Sequence, residues 1–125
     1  MPALSILVAD DEPDLRDLVQ LTLEQEGHQV TVTPDGKKAA QALAKGKFDL
    51  LVTDVLMPDG DGIELISDVR TKYPAMKVVV MTSGGQISRR EYLTMAKHLG
   101  ADVGLEKPFN RNQLLAAVKT ALATA

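Results

Sequence analysis

"FDLLVTDVLMPDGDGIELISDVRTKYPAMKVVVMTS", residues 48–83, decides the fold. Its first seven residues are a short run of β-formers that stops on one acid, Asp54. A turn rich in Pro and Gly follows. Residues 61–73 then read as a helix, which Pro74 stops. Residues 76–83 are the most apolar strand of the chain. Runs that are continuously apolar, rather than alternating, read as strands buried on both faces. Strand, helix and strand at this spacing form a crossover unit, which demands parallel pairing.

The same unit repeats outward. Residues 4–10 read as a strand and 11–27 as a helix, in which Leu15, Leu18, Val19, Leu21 and Thr22 recur at helical spacing. Pro13 suits that helix's first turn and Gly27 its stop. Residues 28–33 read as a strand, 35–46 as a helix, 87–100 as a helix, 101–107 as a strand and 110–125 as a helix. Five strand–helix pairs predict an α/β fold, a doubly wound parallel sheet with helices on both faces, as one domain over residues 1–125. No linker, internal repeat or low-complexity tract divides it. Such sheets bind ligands beyond the carboxyl ends of their strands, at the switch point. Function is therefore sought where each strand stops.

Composition narrows the classes. The 125 residues are enough to bury a core without staples. Aromatics are 3% and Trp is absent, so stacking platforms for single-stranded nucleic acid are lacking. The net charge of −3, with no basic stripe, gives no direct nucleic-acid surface. The chain has no Cys, which excludes disulfides and thiolate chemistry and suits a reducing cytoplasm. No stretch reads as a signal peptide or a membrane span, so the expected location is cytoplasmic, with no membrane partner.

At the strand ends stand Asp10-Asp11, Asp54, Thr82-Ser83 and Lys107-Pro108. Two carboxylates ~4 Å apart repel by about 4 kcal/mol at an effective dielectric near 20. Three converging acids therefore call for a cation. Every candidate ligand is an oxygen, which favours Mg²⁺ or Mn²⁺ over zinc. Lys107 would face phosphoryl oxygens as a point charge, and a hydroxyl of Thr82 or Ser83 would add a donor. The set suits phosphoryl transfer. With no Cys, and neither His at a strand end, a carboxylate is the nucleophile. Asp54 stands alone on its strand, whereas the Asp10-Asp11 pair suits metal. Leu56 would offer only its backbone carbonyl, and Pro58, Gly60 and Gly62 would stiffen the turn. His28 and His98 read as structural or solvent-facing, and Leu114, Leu115, Val118 and Leu122 as core.

"ILVADDEPDLR", "VTDVLMPDGDG", "VVVMTSGG" and "LEKPF" together resemble the signature segments of response-regulator receiver domains, including the chemotaxis regulators, over the whole chain. The resemblance implies a flavodoxin-like (βα)5 sandwich with strand order 2-1-3-4-5. It implies phosphorylation at Asp54 and Mg²⁺ held by Asp11, Asp54 and the Leu56 carbonyl, with Asp10 acting through water. Thr82 would be the switch hydroxyl and Lys107 the counter-ion, with a cis Lys107-Pro108 bond. The phosphoryl donor would be a sensor histidine kinase or a histidine phosphotransfer protein in a two-component phosphorelay. The output would be a downstream protein on the face of the fourth helix, fifth strand and fifth helix. The chain would be a stand-alone regulator or part of a larger one, catalysing only its own phosphorylation and dephosphorylation. Two departures stand out. Gly104 replaces the aromatic whose rotation often reports phosphorylation. Residues 83–91, with Gly84-Gly85, are longer than usual and are expected to reorganise. Leu56 and Gly84, where the family tunes hydrolysis, carry no polar group.

Three other readings compete. A phosphatase or mutase with an Asp nucleophile would need a second acid where Leu56 stands. A flavin would meet three acids at its phosphate site. A phosphorylation-independent scaffold of the same fold is the remaining alternative, disfavoured by the intact acid set.

Overall fold

Five parallel strands lie in the order β2-β1-β3-β4-β5 in the computed structural model, which describes residues 3–55, 62–83, 91, 94, 98 and 100–123. They are β1 (Ser5–Ala9), β2 (Gln29–Thr33), β3 (Leu50–Asp54), β4 (Lys77–Ser83) and β5 (Val103–Lys107). The described helices are α1 (Pro13–Gln25), α2 (Gly36–Lys45), α3 (Gly62–Lys72) and α4 (Arg111–Ala123). Glu91, Thr94 and His98, within the helix expected over 87–100, are helical and exposed. The doubly wound sheet and its order are those expected.

Two apolar layers form because strand side chains alternate between faces. Leu7, Ala9, Leu51, Val55, Val78 and Val80 pack with Ala39 and Leu43 of α2 and with Leu65, Ile66 and Val69 of α3. Ile6, Val8, Leu50, Val52, Val79 and Met81 pack on the other face with Val19 and Leu23 of α1 and with Leu114, Ala117, Val118 and Ala121 of α4. Strands buried on both sides need continuous apolar runs, and β1, β3 and β4 supply them. All five residues of β3 are buried.

Helix α1 shows one difference from the sequence reading. Its core stripe is Val19, Thr22 and Leu23, with Leu15 packed beside it. Leu18 and Leu21 are 49% and 55% exposed. At about 100° per residue they lie roughly 100° and 160° round from Val19, beyond the width of the buried stripe. The helical spacing is right; the face is narrower than the apolar residues suggest.

Local chemistry fixes the helix ends. The Asp35 carboxylate caps α2 by accepting from the Lys38 N–H at 2.8 Å. Asn110 caps α4: its Oδ1 accepts from the Gln113 N–H at 2.8 Å, and Gln113 Oε1 accepts from the Asn110 N–H at 2.9 Å. This reciprocal pair satisfies two otherwise orphaned donors. After α1 the chain turns through Gly27 at φ 91°, a left-handed conformation that glycine adopts without strain. His28 is buried, and its Nδ1 accepts from the Leu4 N–H at 3.1 Å, a structural role as expected.

Candidate functional site

The register sets the site. Asp54 pairs with Met81 on β4, and Met81 pairs with Leu105 on β5. Lys107 lies two residues further along β5, opposite Ser83. Its side chain reaches back past β4 to the end of β3. Asp54 and Lys107 share the strand parity of Val52 and Leu105, so both project on the sheet face that carries α1 and α4.

Three ion pairs meet at the Lys107 ammonium. Its Nζ lies 2.7 Å from Asp54 Oδ2, 2.9 Å from Asp10 Oδ2 and 3.3 Å from Glu12 Oε1. The first two acids are buried, as is most of the lysine side chain. Burial alone would push the Lys107 pKa down. Hydrogen bonds and charge from Asp54 and Asp10 outweigh it, and the pKa is held well above the ordinary lysine value. Lys107 is thus a fixed cation at neutral pH.

Backbone contacts hold the acids in place. Asp10 Oδ1 accepts from the Glu12 N–H at 2.7 Å, and the Asp10 carbonyl accepts from Arg16 Nη1 at 3.0 Å. The Asp10 N–H donates to the Thr33 carbonyl at 3.1 Å, tying the acid to the end of β2. On β3, the Asp54 carbonyl accepts from Thr53 Oγ1 at 3.0 Å. The Gly62 N–H donates to the Val55 carbonyl at 2.9 Å, which closes the turn. A Cβ on Gly62 would collide with the Asp54 carbonyl oxygen, so the start of α3 rests directly on the Asp54 backbone. Gly62 is therefore more than a turn residue: it permits a close approach.

Four carboxylates, those of Asp10, Asp11, Glu12 and Asp54, place oxygens within 4.8 Å of one another. Among the described residues the Lys107 ammonium is paired with three of them, and one positive charge does not balance four negative ones. Such an excess of negative charge, offered by hard oxygens alone, fits a divalent cation. Asp11 and Glu12 are exposed, and Asp10 and Asp54 are buried. Thr82 sits one residue past the β4 partner of Asp54. It is 2% exposed, and its Oγ1 has no hydrogen-bond partner among the described residues. A buried hydroxyl left unpaired is costly and calls for a partner.

The structure thus brings Asp10, Asp54 and Lys107 into contact, puts Asp11 beside them and places Thr82 on the adjacent strand end. The Lys107-Pro108 peptide is cis. Leu56, Pro58, Gly60, Gly84 and Gly85 lie outside the described residues, as do the side chain of Ser83 and most of the 83–91 loop. Gly104 pairs with Val80 inside β5, so no aromatic side chain stands at that position. Sequence reasoning missed Glu12 and Arg16. Glu12 follows the acid pair directly and precedes Pro13 at the start of a helix, a cue that it lies on the same rim.

Comparison with known proteins agrees with this architecture. A family model for the response regulator receiver domain matches residues 6–119. A DNA-binding transcriptional regulator NtrC of Azospirillum brasilense is 34% identical over 122 residues, which is 98% of this chain and 25% of that protein. This chain therefore spans about a quarter of that relative's length. Among solved structures, NtrX of Brucella abortus superposes with a TM-score of 0.89 at 32% identity, over 97% of this chain and 27% of that one. The chemotaxis response regulator CheY4 of Vibrio cholerae superposes with a TM-score of 0.87 at 29% identity, over 96% and 99% of the two chains. Taken with the parallel sheet in the order 2-1-3-4-5, these matches establish that the chain belongs to the response regulator receiver domain family of two-component signalling.

Proposed function

We propose that residues 1–125 form one receiver domain that accepts a phosphoryl group on Asp54 and thereby switches protein–protein contacts. The observation that carries this reading is the Lys107 ammonium held 2.7 Å from Asp54 and 2.9 Å from Asp10 at the carboxyl end of the sheet. A carboxylate oxygen of Asp54 attacks the phosphorus of a phosphohistidine. The P–N bond breaks, and its electron pair leaves with the imidazole. Hydrolysis later returns the free Asp54 carboxylate and inorganic phosphate. Lys107, already charged and already aimed, stabilises negative charge on the phosphoryl oxygens. The Thr82 hydroxyl, which has no partner among the described residues, supplies a donor for the same oxygens.

Asp11 and Asp54, with the Leu56 carbonyl, would hold Mg²⁺ (or Mn²⁺), and Asp10 would act through water. The bound ion would supply Lewis-acid stabilisation of the transferring group. The donor would be a sensor histidine kinase or a histidine phosphotransfer protein in a cytoplasmic phosphorelay. The downstream partner would dock on the face of the helix expected over 87–100, β5 and α4. The chain's chemistry would be confined to its own phosphorylation and dephosphorylation.

Intact mass after incubation with acetyl phosphate and Mg²⁺ tests the reading. One added phosphoryl group is expected, absent with a chelator and absent in Asp54→Ala. No gain from either acetyl phosphate or a cognate kinase would favour the scaffold reading instead.

A further inference from the structure

We propose that Glu12 is a positioning residue, which holds Lys107 in the unphosphorylated protein and yields it to a phosphoryl group on Asp54. This rests on the reading of Asp54 as the acceptor.

An ammonium has three N–H donors. Among the described residues Lys107 meets three acceptors, in Asp54, Asp10 and Glu12. Its donor capacity is therefore filled before any phosphoryl group arrives. A phosphoryl oxygen can gain a donor from Lys107 only if one acceptor lets go. The three are unequal. The Asp54 and Asp10 contacts are short and their carboxylates are buried, and attack through Asp54 Oδ1 would leave Oδ2 as a carbonyl oxygen still facing Lys107. The Glu12 contact is the longest, at 3.3 Å, and its side chain is 59% exposed. Water can replace Lys107 at Glu12, and it cannot do so as readily at the other two. Glu12 is the acceptor that releases.

Its position in the fold points the same way. Glu12 is the N-cap of α1, with extended backbone at φ −91° and ψ 110°. A short side chain there, such as Asp or Asn, would accept from a backbone N–H of its own helix, whereas the longer Glu12 side chain is free to reach outward. Glu12 makes no such bond and turns to Lys107 instead. Its backbone is pinned on both sides. The N–H donates to Asp10 Oδ1, and the carbonyl accepts from the Arg16 N–H at 3.0 Å. The main chain is fixed and the carboxylate alone is free to exchange.

Two effects of opposite sign follow. The Glu12 charge attracts a divalent cation to the acid cluster, because its oxygen lies within 4.8 Å of those of Asp10, Asp11 and Asp54. The same charge competes with, and repels, an anionic group on Asp54. General damage to the site would weaken both kinds of binding. Loss of Glu12 should weaken one and strengthen the other.

The test compares wild-type protein, Glu12→Gln, Glu12→Asp and Asp14→Asn. Asp14 is an exposed acid in the first turn of α1 and makes no ion pair with Lys107. Mg²⁺ affinity is read by NMR titration without phosphoryl donor. Affinity for beryllofluoride, which mimics the acyl phosphate, is read at saturating Mg²⁺. Glu12→Gln is expected to bind Mg²⁺ about two- to fivefold more weakly and beryllofluoride about two- to fivefold more tightly, the scale of an exposed ion pair. Glu12→Asp should return toward wild type and Asp14→Asn should leave both values unchanged. The proposal is overturned if both affinities of Glu12→Gln move together or neither moves, or if Asp14→Asn reproduces the shifts. A wild-type protein that forms no beryllofluoride adduct would remove the acceptor reading itself, a distinct result from an adduct indifferent to Glu12.

Discussion

The two ends of the sheet use the same residue types for different ends. At the amino edge, Asp49 Oδ2 accepts from the Ser5 N–H at 2.9 Å, and Asp102 Oδ2 accepts from the Val78 N–H at 2.8 Å. His28 does the same for Leu4. Each of these three side chains accepts from a backbone N–H at or beside the start of a strand. At the carboxyl edge, Asp10, Glu12 and Asp54 converge on one lysine, and a buried Thr82 hydroxyl has no partner among the described residues. Acids that meet backbone donors hold the fold. Acids that meet one another leave a charge imbalance that a ligand can relieve. Position relative to strand direction, rather than residue type, separates the two groups.

The sharpest way to break this contrast is at Lys107. Lys107→Met leaves Asp10 and Asp54 buried without their cation, and is expected to lower stability by about 3 kcal/mol in chelator. Millimolar Mg²⁺ should recover most of that. Chemical denaturation with and without metal measures both, and a loss untouched by metal would mean that the carboxyl edge is as structural as the amino edge. The pH dependence carries a sign. A lysine whose folded pKa is raised stabilises the protein fully below its unfolded value of about 10.4. That contribution is lost as pH climbs from there through the folded value. The difference between wild type and Lys107→Met should therefore stay flat from about pH 7 to 9 on account of this group, and shrink above about pH 10.4.

Gly62→Ala comes next. Its Cβ must displace the Asp54 carbonyl, and a loss of about 2 kcal/mol is expected, together with slower phosphorylation. Unchanged phosphorylation in a destabilised variant would show that the Asp54 side chain tolerates movement of its own backbone. At the amino edge, Asp49→Ala should cost about 1 kcal/mol, that of one lost hydrogen bond, and leave phosphorylation and Mg²⁺ affinity as in wild type. The smallest effect is expected at Leu18 and Leu21, where Ala substitutions should change stability by no more than about 0.5 kcal/mol.

Much of this was legible beforehand because the signals are one-dimensional. Continuous apolar runs in β1, β3 and β4 mark doubly buried strands, and the last residue of each run marks the rim. Asp10 and Asp54 could be placed together on that ground, and Lys107 by the strand–helix alternation that makes residues 101–107 the fifth strand. What escaped depends on side-chain direction and close approach. Glu12 sits on a helix cap with a side chain too long to favour capping its own helix, and nothing in the string says that it turns to Lys107. Gly62 resembles any turn glycine until the Asp54 carbonyl is found against it. Leu18 and Leu21 carry the right spacing for a helix, but hydropathy does not state how wide a stripe the sheet can cover.

The buried central strand has one more consequence. Asp54 projects on the α1 and α4 face, while its neighbour Val55 belongs to the layer of α2 and α3. Val55 also donates its N–H to the Met81 carbonyl and accepts from Gly62. A single peptide bond thus joins the chemistry on one side of the sheet to the packing on the other. Any displacement of the Asp54 backbone would therefore be felt in both apolar layers, not only in the one its side chain faces.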